Sequence, residues 1–155
     1  TFAEHSRRDS PAAVPTDFSA ELYYAHGPSA SIYCSFVTEI QQWASISGSK
    51  GSLYIPDFVL PRYGSEVAFE VSNPVFNITG CDFNIEDHTR RVAVREYSHR
   101  AENAQETNMF RRFAELALSG QPDPSWGEMA LKTQQVLDAC LRSARSGAQP
   151  VEVQA

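Results

Sequence analysis

A few side chains in this sequence have chemistry that suits a substrate-facing surface. The amides of Gln41 and Gln42 can each donate a hydrogen bond to a ligand hydroxyl and accept one from it. The indole of Trp43 can stack on a ligand ring, and His99 precedes a predicted helix, whose N-terminus attracts anions. The alternatives are ordinary strand amides, a core or interface aromatic, and a solvated histidine. We take Gln41, Gln42, Trp43 and His99 as substrate-facing candidates and predict no catalytic, cofactor-binding or metal-binding residue.

The run Glu86-Asp87-His88 has the residue types of a metal site or an acid-base cluster. Adjacent residues of a strand point to opposite faces, so three in a row do not converge on one ion. We expect a plain turn.

Cys34, Cys81 and Cys140 are odd in number and far apart, which argues against a disulfide framework. Each lies in an apolar-periodic run, so we expect reduced core residues.

Composition narrows the class of protein. The 155 residues, 42% hydrophobic and 21% charged, suit a single domain, residues 1–155, with one core. A net charge of -6 argues against a nucleic-acid partner. The sequence has neither the run of about 18 apolar residues that a membrane span needs nor a signal-peptide core, so we expect no membrane partner and a cytoplasmic location.

The stretch 41–58 contains the clearest pair of strands. Alternation places Trp43, Ser45 and Ser47 on one face and Ala44 and Ile46 on the other. Gly48 and Gly51 bracket the turn, so the backbone can take positive φ at either end without a Cβ clash.

Period-two patterns predict further strands at 17–25, around Ile32, at 67–71, at 75–85 and at 91–97. With no helical pattern between them, the strands should pair mostly antiparallel. Two amphipathic helices follow, one capped by Asn103 with Glu106 and ending at Gly120, the other capped by Ser125 with Glu128 and ending at Gly147. The prediction is an α+β fold with an open, mostly antiparallel sheet and two C-terminal helices packed on one face.

Tyr23, Tyr33 and Tyr54 are predicted to share the more polar side of their strands with small serines. Such a surface suits a protein interface. We therefore expect a homo-oligomer that forms through the open sheet face.

Taken in order, five stretches of the chain resemble the C-terminal domain of the Gfo/Idh/MocA oxidoreductases, the family of glucose-fructose oxidoreductase and inositol dehydrogenase. The resemblance covers the chain from about Asp17 onward and lies in the order and spacing of the stretches. They are 34–36, 43–53, 105–113, 123–126, and 133–139 with 143–145.

The resemblance implies a parent enzyme in which a Rossmann domain precedes this part and binds NAD or NADP. A sugar or polyol then lies between the two domains and passes a hydride to the nicotinamide. The family's EKP lysine and D-x-x-x-H histidine precede the matched region, and neither motif occurs here. The eight glycines also lack the G-x-G-x-x-G spacing of a pyrophosphate-binding turn. Some family members have a substrate-facing tyrosine near what is Ile40 to Gln42 here, where this chain has Ile-Gln-Gln.

We therefore expect the non-catalytic part of an NAD(P)-dependent oxidoreductase, which supplies part of the substrate cleft and the oligomer interface and holds no cofactor itself. The alternative is a stand-alone sheet module that binds carbohydrate or a partner protein. A small hydrolase is disfavoured because the sequence lacks a G-x-S-x-G nucleophile motif.

Overall fold

The structure, a computed structural model, describes residues 14–60, 66–95 and 101–153. Over these residues the fold is α+β, with antiparallel strands followed by two helices, as the sequence predicts. The strands are β1 (Asp17–Tyr23), β2 (Ser29–Ser35), β3 (Ala44–Gly48), β4 (Gly51–Ile55), β5 (Glu66–Ser72), β6 (Val75–Thr79), β7 (Asp82–Glu86) and β8 (Thr89–Arg95). The helices are α1 (Gln105–Ser119) and α2 (Pro124–Arg145).

The described strands form three hydrogen-bonded sets rather than one continuous sheet. These are the pair β1-β2, the four-stranded sheet β3-β4-β5-β8 and the pair β6-β7. The chain divides into two compact units, one within 1–39 and 123–155 and the other within 40–122. β1, β2 and α2 belong to the first unit, and the remaining elements belong to the second. A single domain with both helices on one sheet face stays a prediction.

The four-stranded sheet has one apolar and one polar face, because period-two alternation continues in register across it. Ile46 lies opposite Leu53, and Leu53 lies opposite Val71. Phe69 and Val92 continue this face onto β8. The face predicted to contain Ala44 and Ile46 is thus apolar on all four strands except at Arg90, which lies opposite Val71, and most of its apolar side chains are half-buried. Its apolar members are Ala44, Ile46, Leu53, Ile55, Val67, Phe69, Val71, Val92 and Val94.

The β3-β4 turn uses only one of its two glycines for a positive φ. Gly51 has φ 146°, whereas Gly48 is not in the positive region. Gly51 also lies against β5, and a Cβ there would come within 2.5 Å of the Ser72 carbonyl oxygen. Of the two glycines that can take positive φ here, Gly51 alone does so. Gly51 is required both by its conformation and by this close approach.

The stretch 75–85, predicted as one strand, is a hairpin made by β6 and β7. Gly80, with φ 62°, and Cys81 form its two-residue turn, and Thr79 pairs with Asp82. A glycine in the first turn position suits a type II′ hairpin turn. The final predicted strand begins earlier than expected, at Thr89.

Both helices end near the predicted glycines but begin differently from the prediction. Ala104 is the N-cap of α1, and no side-chain hydrogen bond caps this helix. The side-chain amide of Asn103 instead donates to the Arg95 carbonyl at 2.7 Å. For α2 the cap is Asp123, which accepts from the Ser125 amide at 3.1 Å, with Pro124 in the first turn. The capping roles predicted for Asn103 and Ser125 are therefore wrong, because Asn103 is engaged by β8 and Asp123 precedes Ser125 as the cap.

Among the described residues, the buried hydrophobic side chains are Ala104, 2% exposed, and Ala139, 4% exposed. Cys34 and Cys81 are exposed and Cys140 is half-buried, all as free thiols. The expectation of core cysteines is wrong for Cys34 and Cys81, since Cys81 lies in a hairpin turn and Cys34 lies on a two-stranded pair. Neither described helix has the length and apolarity to cross a membrane.

Candidate functional site

A row of polar side chains crosses the four-stranded sheet on the face opposite the apolar one. Ser45 lies opposite Tyr54, and Tyr54 lies opposite Glu70. Glu70 in turn lies opposite Arg91 on β8. Adjacent strands are about 4.8 Å apart, so the backbone positions of Tyr54, Glu70 and Arg91 span about 10 Å. A phenol, a carboxylate and a guanidinium group therefore share one surface.

Two sequence candidates, Gln41 and Trp43, lie at the β3 end of this row. The Trp43 ring is tilted by 34° against Tyr54, with centroids 6.4 Å apart. The indole N–H donates to Oε1 of Gln41 at 3.0 Å, which fixes the orientation of both side chains. Trp43 is 55% and Tyr54 42% exposed, so the pair presents an aromatic surface to solvent.

Gln42 has a different role from Gln41. Its Oε1 accepts from the Leu60 amide at 2.9 Å, and its Nε2 donates to the Leu60 carbonyl and, at 3.4 Å, to Oδ1 of Asp57. The main-chain oxygen of Gln42 also accepts from the Phe58 amide. The amide expected to meet a substrate is thus already paired within the chain, and it holds the segment that follows β4.

His99, the fourth candidate, lies outside the described residues. Around the β7-β8 link, Asp87 Oδ1 accepts from the Thr89 amide at 3.0 Å, and His88 Nε2 lies 3.3 Å from Oε2 of Glu86. These contacts are local, as expected of a turn. Within the described ranges, no group of three or more His, Cys, Asp and Glu side chains is arranged to hold a metal ion.

Arg91 at the far end of the row is paired. Its Nη2 lies 2.5 Å from Oε1 of Glu66, and the two side chains are 52% and 44% exposed. Because Arg91 is engaged by Glu66, the carboxylate of Glu70 lies between a paired cation and the Tyr54 ring. A carboxylate accepts two hydrogen bonds in a fork, which suits two neighbouring hydroxyls.

Glu70 is the member of this surface that sequence reasoning missed. Its alternation with Phe69 and Val71 placed it on the polar face of its own strand. Only the register shows that it faces Tyr54, and no local pattern encodes a register between β4 and β5.

The residues that the structure describes do not form the arrangement that binds the pyrophosphate of a dinucleotide. Pyrophosphate binding needs a glycine-rich turn that joins a parallel strand to a helix N-terminus. The strand ladders among the described residues are antiparallel, apart from an isolated parallel bridge between Gln42 and Asp57. The N-terminus of α2 already carries the carboxylate of Asp123, which repels an anion.

No protein-family model matches the chain.

Proposed function

We propose that this chain is the substrate-binding and assembly part of an NAD(P)-dependent oxidoreductase that acts on a sugar or polyol. The observation that carries the proposal is the surface formed by Gln41, Trp43, Tyr54 and Glu70 on the polar face of the four-stranded sheet. An exposed aromatic face packs against the C–H side of a sugar, while the amide and the carboxylate bind its hydroxyls.

The order and spacing of the five family-like stretches support the redox role in the parent enzyme. In that arrangement the Rossmann part binds the nicotinamide cofactor, the acid-base residues precede the region that this chain resembles, and this chain contributes binding and orientation. Positioning alone supplies a large share of the rate in bound reactions, so a non-catalytic surface of this kind still affects turnover.

The oligomer that we propose uses the tyrosines predicted from the sequence. Tyr23 and Tyr33 share the polar face of the β1-β2 pair, where they are 83% and 54% exposed, and Tyr54 lies on the polar face of the four-stranded sheet. Tyrosine supplies large contact area with few rotatable bonds, and exposed tyrosines of this kind suit an interface.

Fluorescence of Trp43 tests the sugar surface directly. With Trp126 replaced by Phe, Trp43 is the remaining tryptophan, and titration with sugars and polyols should change its emission in a saturable way at millimolar concentrations. Glu70→Gln should weaken binding about tenfold, the cost of one hydrogen bond to a charged group. Glu21→Gln, an exposed strand carboxylate on the β1-β2 pair, is the matched control and should leave affinity unchanged. Emission that no sugar or polyol changes would overturn the binding role.

A second titration tests whether this chain itself binds the nicotinamide cofactor. The chain alone should show no saturable micromolar binding of NADH or NADPH, because it lacks the glycine-rich turn. Saturable binding would contradict the proposal. If sugar binding is found, the coding region upstream separates the two readings, since a fused Rossmann reading frame supports the oxidoreductase and a start codon next to Thr1 supports a stand-alone module.

A further inference from the structure

The β6-β7 hairpin forms a sheet of its own with a fully apolar face. β6 and β7 pair only with each other within the described part of the chain. Phe76 faces Ile85 and Ile78 faces Phe83 on one side, and the rings of Phe76 and Phe83 stack with centroids 6.0 Å apart. All four side chains are between 55% and 70% exposed. A two-stranded hairpin is only marginally stable by itself, and it is stabilised by further strands or by packing against a helix.

The two edges of this hairpin, neither of which pairs with another described strand, differ in charge. Strand β7 carries Asp82 at one end and Glu86 at the other, whereas β6, with the sequence VFNIT, has no charged residue. Charged side chains on an edge strand are a common protection against pairing with another chain. Strand β7 therefore carries a charged residue at each end and β6 carries none, although the Glu86 carboxylate reaches across to β6 and accepts from Asn77 Nδ2 at 2.6 Å.

The hairpin geometry determines which backbone groups point outward. Around a two-residue turn the flanking residues Thr79 and Asp82 form a hydrogen-bonded pair, and such pairs then alternate along the ladder. Phe76 and Ile78 therefore direct their N–H and C=O groups away from β7, to the free edge of β6.

A second copy of the chain matches this edge in full. When two β6 strands lie antiparallel with complete overlap, Asn77 faces its own copy and Phe76 faces Ile78 of the second copy. The residues with outward backbone groups are then paired with each other, and an apolar side chain faces an apolar side chain. The same overlap of two β7 strands places Asp82 opposite Glu86, and like charges in that position repel.

We propose that β6 is a self-association edge, through which two copies of the chain join their hairpins into one four-stranded antiparallel sheet around a two-fold axis at Asn77. The contact is isologous and closes with two copies, whereas a β6-to-β7 contact would be head-to-tail and open-ended. The proposal does not depend on any substrate, and its surface is separate from the tyrosines.

Sedimentation equilibrium of the full chain provides the first test, with two proline variants. Ile78→Pro removes an outward N–H of β6 and keeps the hydrogen bonds within the hairpin, so it should halve the mass of the assembly or raise its dissociation constant at least tenfold. Phe83→Pro is the matched control, because it removes an outward N–H of β7 from the residue directly opposite Ile78. It should leave the mass unchanged. A monomeric wild-type chain, or equal masses for both variants, would overturn the proposal.

If a proline variant fails to fold, disulfide cross-linking tests the β6-to-β6 contact instead. In a background with all three cysteines replaced by Ser, Asn77→Cys brings two thiols together across the axis. The Cα atoms of such a non-hydrogen-bonded pair are about 4.5 Å apart, a distance that a disulfide spans. Mild oxidation should give a linked dimer for Asn77→Cys and none for Asn84→Cys, which lies on the β7 side. Linkage of both variants, or of neither, would contradict the β6 contact.

Discussion

Gly51 shows how a single residue allows the β3-β4 hairpin to lie against its neighbour. A side chain there would meet the Ser72 carbonyl at 2.5 Å, and its φ of 146° is one that L-residues rarely adopt. Gly51→Ala should therefore lower the free energy of unfolding by more than about 1 kcal/mol in urea denaturation. Gly48→Ala is the control, since its nearest neighbour, the Gly51 carbonyl oxygen, would be 3.7 Å away. In a strand that change should be stabilising by about 0.5 kcal/mol, and equal losses from the two variants would contradict this account.

The side chain of Gln42 should protect one particular amide from exchange. Gln42→Ala removes the acceptor of the Leu60 N–H but leaves the main-chain oxygen that accepts from Phe58. A hydrogen bond contributes about 1 kcal/mol, so the Leu60 amide should exchange with solvent about five to ten times faster, as measured by NMR. The Phe58 amide in the same variant is the internal control and should change little. An unchanged Leu60 rate would show that Gln42 does not hold this segment.

The element most dependent on a single cap is α2. Its Asp123 carboxylate accepts from the Ser125 amide at 3.1 Å and from the Ser125 hydroxyl at 2.6 Å. Asp123→Ala should cost about 1 kcal/mol in the free energy of unfolding, with a loss of helical circular dichroism at intermediate urea. Asn103→Ala tests the position where the sequence predicted a cap for α1, and its effect on helical signal should be smaller. If Asn103→Ala lowers the helical signal more than Asp123→Ala does, the capping role predicted for Asn103 is supported after all.

Strand and helix types were predictable from the sequence because they follow from local periodicity. The alternation of Trp43, Ser45 and Ser47 against Ala44 and Ile46 gave the faces of β3 correctly. The hairpin within 75–85 was missed although the pattern contains its signal. Phe76 and Ile78 have even numbers and Phe83 and Ile85 odd ones, so one strand would place the two pairs on opposite faces, and a two-residue turn at Gly80 brings them together.

The candidate surface was only half predictable. Gln41 and Trp43 lie two residues apart just before β3, so the alternation predicted for this stretch already places them on one face. The pairing of Tyr54 with Glu70 joins residues from two strands, and the register that creates it depends on packing across the whole sheet. For the same reason the sequence could not show that Gln42 reaches Leu60, since that contact depends on the path of the chain after β4.

For the molecule as a whole, the tyrosine surface predicts an association that can be measured separately from the β6 edge. Tyr33 lies on the polar face of β2, opposite Ser19, and is 54% exposed. Tyr33→Lys should weaken assembly about tenfold or more in sedimentation equilibrium, because a charge replaces an aromatic contact at the interface. Tyr24→Lys is the matched control, since Tyr24 is similarly exposed, at 56%, but lies just beyond the end of β1. If Tyr24→Lys weakens assembly as much as Tyr33→Lys does, added positive charge is the cause and the polar face of the β1-β2 pair is not the interface.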